Sequence, residues 1–431
     1  MQTYPIAKHL VLVGGGHSHV IVLRMLGMRR VPGLAITLIS PDVETAYSGM
    51  LPGVVAGYYS EDDIHIDLAR LARFAGARLI RARVTGIDPV AQRVRCEGRP
   101  ELPYDALSID TGITPALDDI AGANAGIAVK PINDFLEKFE AFRARVAAGK
   151  VASAGFVGAG AGGVELCLAV AGRLSKADAA VAIHLFSDKS TILPGYPQSV
   201  GERFARHLAG RGVTVHSHFT ATRYRDGMLS SAQGENCHLD EVFFVTRAAA
   251  PAWLGETGLS LDENGFIKVR GTLQAMTFDN VFAAGDIASV VDFPRPRAGV
   301  FAVRQGRPLY RNLLAVLHGR SAKPFRPQRE FLSLITTGSR YAVASRNGFS
   351  VEGQWVWRWK DWIDRRFMHR FNRLPAMKTE PMTGLLAEFD EQMRCGGCGS
   401  KVSADILDEV LRELGAGGDQ RDDAAVIEVP P

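Results

Sequence analysis

The stretch "HLVLVGGGHSHVIVLRML", His9 to Leu26, decides the fold. Its first half is a continuous apolar run of strand length, and its second half carries the apolar spacing of a helix. Three glycines stand between them. Gly14 permits the tight turn and Gly16 lets the backbone approach a pyrophosphate, whose charge the free amides of the helix start stabilise. The third glycine of a GxGxxG turn is replaced by His19, and a side chain of that size is expected to push helix and strand apart. His19 is counted with the cofactor contacts of the turn.

About 145 residues on, "SAGFVGAGAGGVELCLAV" repeats the pattern with all three glycines, Gly158, Gly160 and Gly163. Glu165 follows two residues later, where it can hold a nicotinamide ribose, relay a proton or stabilise a helix start. Two such turns imply two nucleotides, with a flavin and a nicotinamide the obvious pair. A third segment, "VFAAGD", delivers Gly285 and Asp286 at a strand end, where a carboxylate can accept hydrogen bonds from sugar-like hydroxyls.

The expected fold class is α/β with two Rossmann-like dinucleotide-binding domains, a small C-terminal α+β domain and a short tail. The expected boundaries are 1–115 with 265–325 for a discontinuous FAD domain, 116–264 for NAD(P)H, and 326–375 for a C-terminal interface domain. A linker at 376–393 and a tail segment at 394–431 complete the chain. The 431 residues, 46% hydrophobic and 22% charged, fit such a multidomain globular protein. The net charge of +4 does not suggest a nucleic-acid groove, and no nucleic-acid partner is expected. Five scattered cysteines are not a secreted disulfide framework. Without a bilayer-length apolar run or a secretory signal, the expected location is the cytoplasm.

The two turns, "LSIDTGITP" (Leu107 to Pro115) and "VFAAGD" together resemble the FAD-dependent pyridine-nucleotide oxidoreductases, which include type II NADH dehydrogenases and sulfide:quinone reductases. The resemblance spans about Lys8 to Arg373. It implies that Gly14, Gly16, Thr111, Gly112, Gly285 and Asp286 bind FAD, and that Gly158, Gly160, Gly163 and Glu165 bind NAD(P)H. Where the family places a ribose-binding acid, this chain has "TLISPD", offering Ser40 or Asp42. Asp188 in "HLFSDK" stands at the matching place of the second domain and favours NADH, while Lys189 keeps NADPH open. Arg247 replaces the glycine of a further family element. A helix start at Val300 and Phe301 is expected to face the flavin. Lys130 resembles a lysine near the flavin in relatives, although a solvated lysine is the commoner outcome.

Many relatives use a cysteine pair beside the flavin. Here "AYSGMLPG" has none at that place, and none lies between His238 and Arg394. Direct transfer from NADH to flavin and on to a quinone or a selenium or sulfur species is therefore expected. A non-catalytic scaffold or redox sensor and a sulfide:quinone-type enzyme are the rival readings.

Four of five tryptophans lie in "WVWRWKDWIDRRFMHRFNRL". Alternation at 355, 357 and 359 predicts a strand with one aromatic face, passing into a basic helix from Asp361. Between Trp355 and Arg373 six Arg or Lys face two acids, a balance that suits either an anionic lipid surface on the inner face of the membrane or a packed partner. A homodimer is left open.

Cys395 and Cys398 in "MRCGGCGSKV" form a CxxC pair without further zinc ligands downstream. This tail resembles the start of selenide, water dikinases. The resemblance implies Cys398 and Lys401 as catalytic residues and Asp422 with Asp423 as magnesium ligands, with ATP and Mg used only in a complete domain. The whole resembles a bifunctional family in which an FAD oxidoreductase is fused to the dikinase. The resemblance implies that only the first part of the dikinase is expected within these residues, as in a truncated gene product or an expressed fragment.

Overall fold

The strand Lys8–Val13 pairs in parallel with Leu34–Ser40 on one side and Ala106–Ile109 on the other. Leu10 to Val13 are buried throughout, as a parallel strand covered on both faces requires. In this computed structural model residues 6–246 and 248–375 are described. Val281–Ala283 and Arg78–Arg81 complete the five-stranded sheet at its two edges. The register sets Val13 beside Ile109 and Ile109 beside Ala283. Three strands therefore end level, and the residues that follow them meet at one carboxyl edge.

Helix α1 (His17–Met28) leaves this edge, and a second five-stranded parallel sheet repeats the plan. Its order is Ile127–Ala128, Glu241–Phe244, Ser153–Val157, Ala182–Phe186 and Thr214–His216, with helix α2 (Ala161–Ser175) following the central strand. A three-stranded antiparallel sheet, Ala221–Arg225, Met228–Ser231 and Asn236–His238, borders it. Helix α3 (Gly299–Leu317) returns the chain to the first sheet, where Gly306 lies against Ile21 of α1 so closely that any side chain would collide.

Three antiparallel strands, Ser333–Ser339, Tyr341–Arg346 and Phe349–Gly353, then run into helix α4 (Gln354–Asn372). The expected aromatic strand is not formed: residues 355–359 belong to α4. Buried Val356, Lys360, Asp364, Phe367 and Phe371 recur at spacings of three and four, so helical burial outweighs the short alternation. Trp355, Trp359 and Trp362 share the opposite face and are exposed. The hairpin is seated on α2 by a glycine contact, because a Cβ on Gly172 would run into the carbonyl oxygen of Gly338. Among the described residues no helix is long and apolar enough to cross a membrane.

Candidate flavin and nicotinamide sites

Gly14 holds a φ of +92°, and a Cβ there would strike the Asp110 backbone. A Cβ on Gly16 would strike the Asp110 carboxylate. Glycine is thus required for the turn to close over the end of the neighbouring strand. No side chain of α1's own N-cap bonds its first turn; Asp110 takes that part from the next strand. Its Oδ2 accepts the amides of Ser18 (2.8 Å) and His19 (3.1 Å). Burial pushes the Asp110 carboxyl up to about 7; the amide bonds oppose the shift and the nearby Asp286 charge adds to it.

A cavity of about 460 Å³ opens at this edge. Gly14, Gly16, Ser40 and Asp42 line it, as do Thr111, Gly112 and Asp286. Lys130 is in the same wall, its Nζ 3.6 Å from Asp286 Oδ2. His17 also lines it, with a buried Nε2 that has no hydrogen-bond partner. Burial lowers that imidazole to about 4, with Asp286 raising it and Lys130 lowering it further. A glycine cradle, a volume in the range of cofactor sites and an orphaned imidazole nitrogen fit a flavin dinucleotide. The FAD would lie against the two glycines and Asp286.

Several expected contacts are placed elsewhere. His19 does not line the cavity. Its Nδ1 reaches the Gly14 carbonyl (2.7 Å) and its Nε2 the Ser108 hydroxyl (2.8 Å), so it ties helix to sheet within the core. Gly285 lies beneath the wall, giving room to Asp110 at a φ of +71° and donating its amide to Gln305 (2.6 Å). Val300 and Phe301 are replaced at the cavity by Gly299 and Ala302, one helical turn apart on α3; Phe301 turns inward against Phe331.

The second turn uses its glycines for contact. Gly158 has a φ of +116°, and a Cβ on Gly163 would overlap the Gly158 carbonyl oxygen, so α2 approaches its strand closely. Gly160 is the open N-cap of α2. Asp188 is exposed beside Lys189, 3.3 Å away. Glu165 is the fifth residue of α2, past the first turn, and is not a helix-start carboxylate. Its Oε1 accepts the amide (2.6 Å) and hydroxyl (3.0 Å) of Thr336. Burial raises its carboxyl, with the Lys360 ammonium opposing.

A buried polar cluster joins α4 to the flavin side. Lys360 Nζ donates to Asp364 Oδ2 and to the Gly49 carbonyl, both at 2.6 Å. The Tyr47 hydroxyl donates to Asp364 Oδ1 (3.2 Å), and its ring stands edge-on to His17. A void of about 10 Å³, the size of one water, lies between Gly49, Thr336 and Lys360.

His17, Tyr47, Asp110, Lys360 and Asp364 escaped the sequence reading. Asp110 was visible as a charge ending a buried strand in "LSIDTG", but Lys360 and Asp364 look like an ordinary surface i,i+4 pair. Cys96 and Cys167 are buried, Cys237 is half-buried, all three are free, and among the described residues no cysteine lines the candidate flavin cavity. Arg247, the linker at 376–393 and the expected dikinase residues Cys398, Lys401, Asp422 and Asp423 lie outside the described residues.

Residues 8–306 match the family described as pyridine nucleotide-disulphide oxidoreductase. This match ends before the Cys398–Lys401 segment. No match is found among curated proteins. Among solved structures, the sulfide:quinone oxidoreductase of Aquifex aeolicus superposes with a TM-score of 0.72 at 18% identity, covering 85% of this chain and 91% of that one. NDH2 from Plasmodium falciparum, solved with NADH, gives 0.67 at 13%, covering 86% and 100%. An NAD-dependent persulfide reductase from A. fulgidus gives 0.64 at 20%, covering 78% and 64%.

Proposed function

Because this chain belongs to the pyridine nucleotide-disulphide oxidoreductase family and is a flavin-dependent NAD(P)H oxidoreductase, we propose that it passes electrons from flavin directly to a quinone. No protein disulfide intervenes. The observation that carries this reading is that, among the described residues, no cysteine lines the candidate flavin cavity. A disulfide relay requires two cysteines at bonding distance beside the ring. When bound, FAD takes two electrons from the nicotinamide and hands them on.

The chain's own residues position the two partners. Asp286 holds the sugar-like part of the flavin and Lys130 stands over it. The Gly158 turn receives NAD(P)H, with Asp188 at its ribose. Helix α4 lies at the membrane interface, where Trp355, Trp359 and Trp362 enter the headgroup layer. The guanidinium of Arg366 sits 5.1 Å over the Trp362 ring, leaving a cation at the same level for anionic lipid. Tyr47, Asp364, Lys360 and Glu165 supply ionisable groups between this helix and the flavin.

Anaerobic titration with NADH, followed by mixing with a short-chain ubiquinone, tests the proposal. The flavin absorbance should bleach with one equivalent of NADH and return on mixing with quinone, unchanged in a Cys96→Ser/Cys167→Ser variant. Recovery with a polysulfide or a selenium species but not with quinone would replace the acceptor and leave the flavin reading intact.

A further inference from the structure

At the outer edge of the second sheet three side chains converge that the flavin chemistry does not use. His184 comes from Ala182–Phe186 and His216 from the adjacent parallel strand Thr214–His216. In the register His184 faces Thr214 and Phe186 faces His216, so the two imidazoles are diagonal neighbours on one face. His184 Nδ1 lies 3.0 Å from His216 Nε2. Cys237 reaches them from the separate antiparallel sheet, on Asn236–His238. One ligand atom of each of the three lies within 4.8 Å of the others.

We propose that His184, His216 and Cys237 form a zinc site that fastens the antiparallel sheet to the edge of the nucleotide-binding sheet. Two imidazoles and one thiolate are a ligand set that zinc favours, with water in the fourth position. Tetrahedral zinc at bond lengths of about 2.0 to 2.3 Å sets its ligand atoms about 3.3 to 3.7 Å apart. The imidazole nitrogens need to separate by only a few tenths of an ångström. The thiol closes from within the remaining gap.

The surroundings favour a metal over a bare hydrogen-bonded pair. The His216 ring is held by stacking on Phe186, 4.5 Å between centroids, and Cys237 packs against the apolar cluster of Phe186, Phe219 and Leu229. The ligands are therefore oriented before the ion arrives. The metal takes each imidazole in its neutral form, through the nitrogen that bears no proton. Binding exchanges the Cys237 S–H bond for a Zn–S bond, and one proton passes to solvent.

The test uses untagged, flavin-loaded protein carrying Cys395→Ser and Cys398→Ser, so that the tail pair cannot contribute metal. It should hold one zinc per chain after dialysis, with a Kd tighter than about 1 μM. His184→Ala and Cys237→Ser should each lose that equivalent while flavin content stays unchanged. Zinc should also shield Cys237 from iodoacetamide, read by peptide mass spectrometry, and raise Tm in the parent but not in the variants. A parent that binds no zinc at this affinity, or variants that keep the full equivalent, would overturn the site.

Discussion

Tyr47 and Asp364, 317 positions apart in sequence, share a hydrogen bond of 3.2 Å. Tyr47 stands beside Ser48, which lines the candidate flavin cavity, and Asp364 belongs to the inner face of α4. The helix that exposes its tryptophans is thereby pinned to the cofactor side. With Lys360 the pair is nearly dry, 10% and 6% of the two charged side chains remaining exposed.

Breaking this cluster one member at a time should be costly. Asp364→Ala leaves a buried ammonium without its partner and is expected to cost about 3 to 5 kcal/mol. Lys360→Met with Asp364→Leu removes both charges and should recover most of that. Urea unfolding of the three proteins decides it; a double variant as unstable as the single would show that the charges themselves hold α4.

Tyr47→Phe removes only a hydroxyl. Asp364 keeps its Lys360 bond, so the expected loss is about 1 kcal/mol. If Tyr47 lies on the route of protons to the acceptor, the variant's flavin will still bleach with NADH at the parental rate while reoxidation by quinone slows. Stopped-flow traces of the two half-reactions separate these effects.

The pH dependence of stability should carry two opposed contributions. Asp110 titrates at about 7 against an ordinary 3.8. Between those values the folded protein keeps a proton that the unfolded chain has released, and stability falls as pH rises. His17 is held at about 4 against 6.5, so as pH falls through that range the unfolded chain gains a proton the folded one refuses, and stability falls with it. Asp110→Asn should therefore gain stability more steeply than the parent from pH 4 to pH 7, and His17→Gln less steeply. Urea midpoints at half-unit pH steps give both slopes.

Replacing Trp355, Trp359 and Trp362 by serine should leave the fold and NADH bleaching intact, because these rings are exposed. Sedimentation with anionic vesicles should fall at least about tenfold, and the parent's binding should weaken with salt. Equal sedimentation of parent and variant would detach α4 from the membrane reading.

Much of this was legible in the chain because the turn chemistry is local. Gly14, Gly16, Gly158 and Gly163 occupy backbone positions that only a glycine fills, and such constraints are written in a few consecutive residues. Asp286 was reached through a strand end, and Thr111 and Gly112 only through the family resemblance of "LSIDTGITP". What escaped depends on partners far apart in sequence: Asp110 caps a helix 92 positions away from Ser18, and Glu165 meets Thr336 across 171. The strand expected at 355–359 failed because three alternating tryptophans are too few to outweigh the burial stripe of 19 helical residues. Val300 and Phe301 missed the cavity by one residue each, within the rotation of a single helical step.

His19 also changes what the first turn is. With the Gly14 carbonyl on Nδ1, that nitrogen carries the proton, and Nε2 takes the Ser108 hydroxyl. The ring has a fixed tautomer and is wholly buried, bonded to the turn on one side and to the neighbouring strand on the other. Restoring the glycine would leave a hole and two stranded polar groups, the Gly14 carbonyl and the Ser108 hydroxyl.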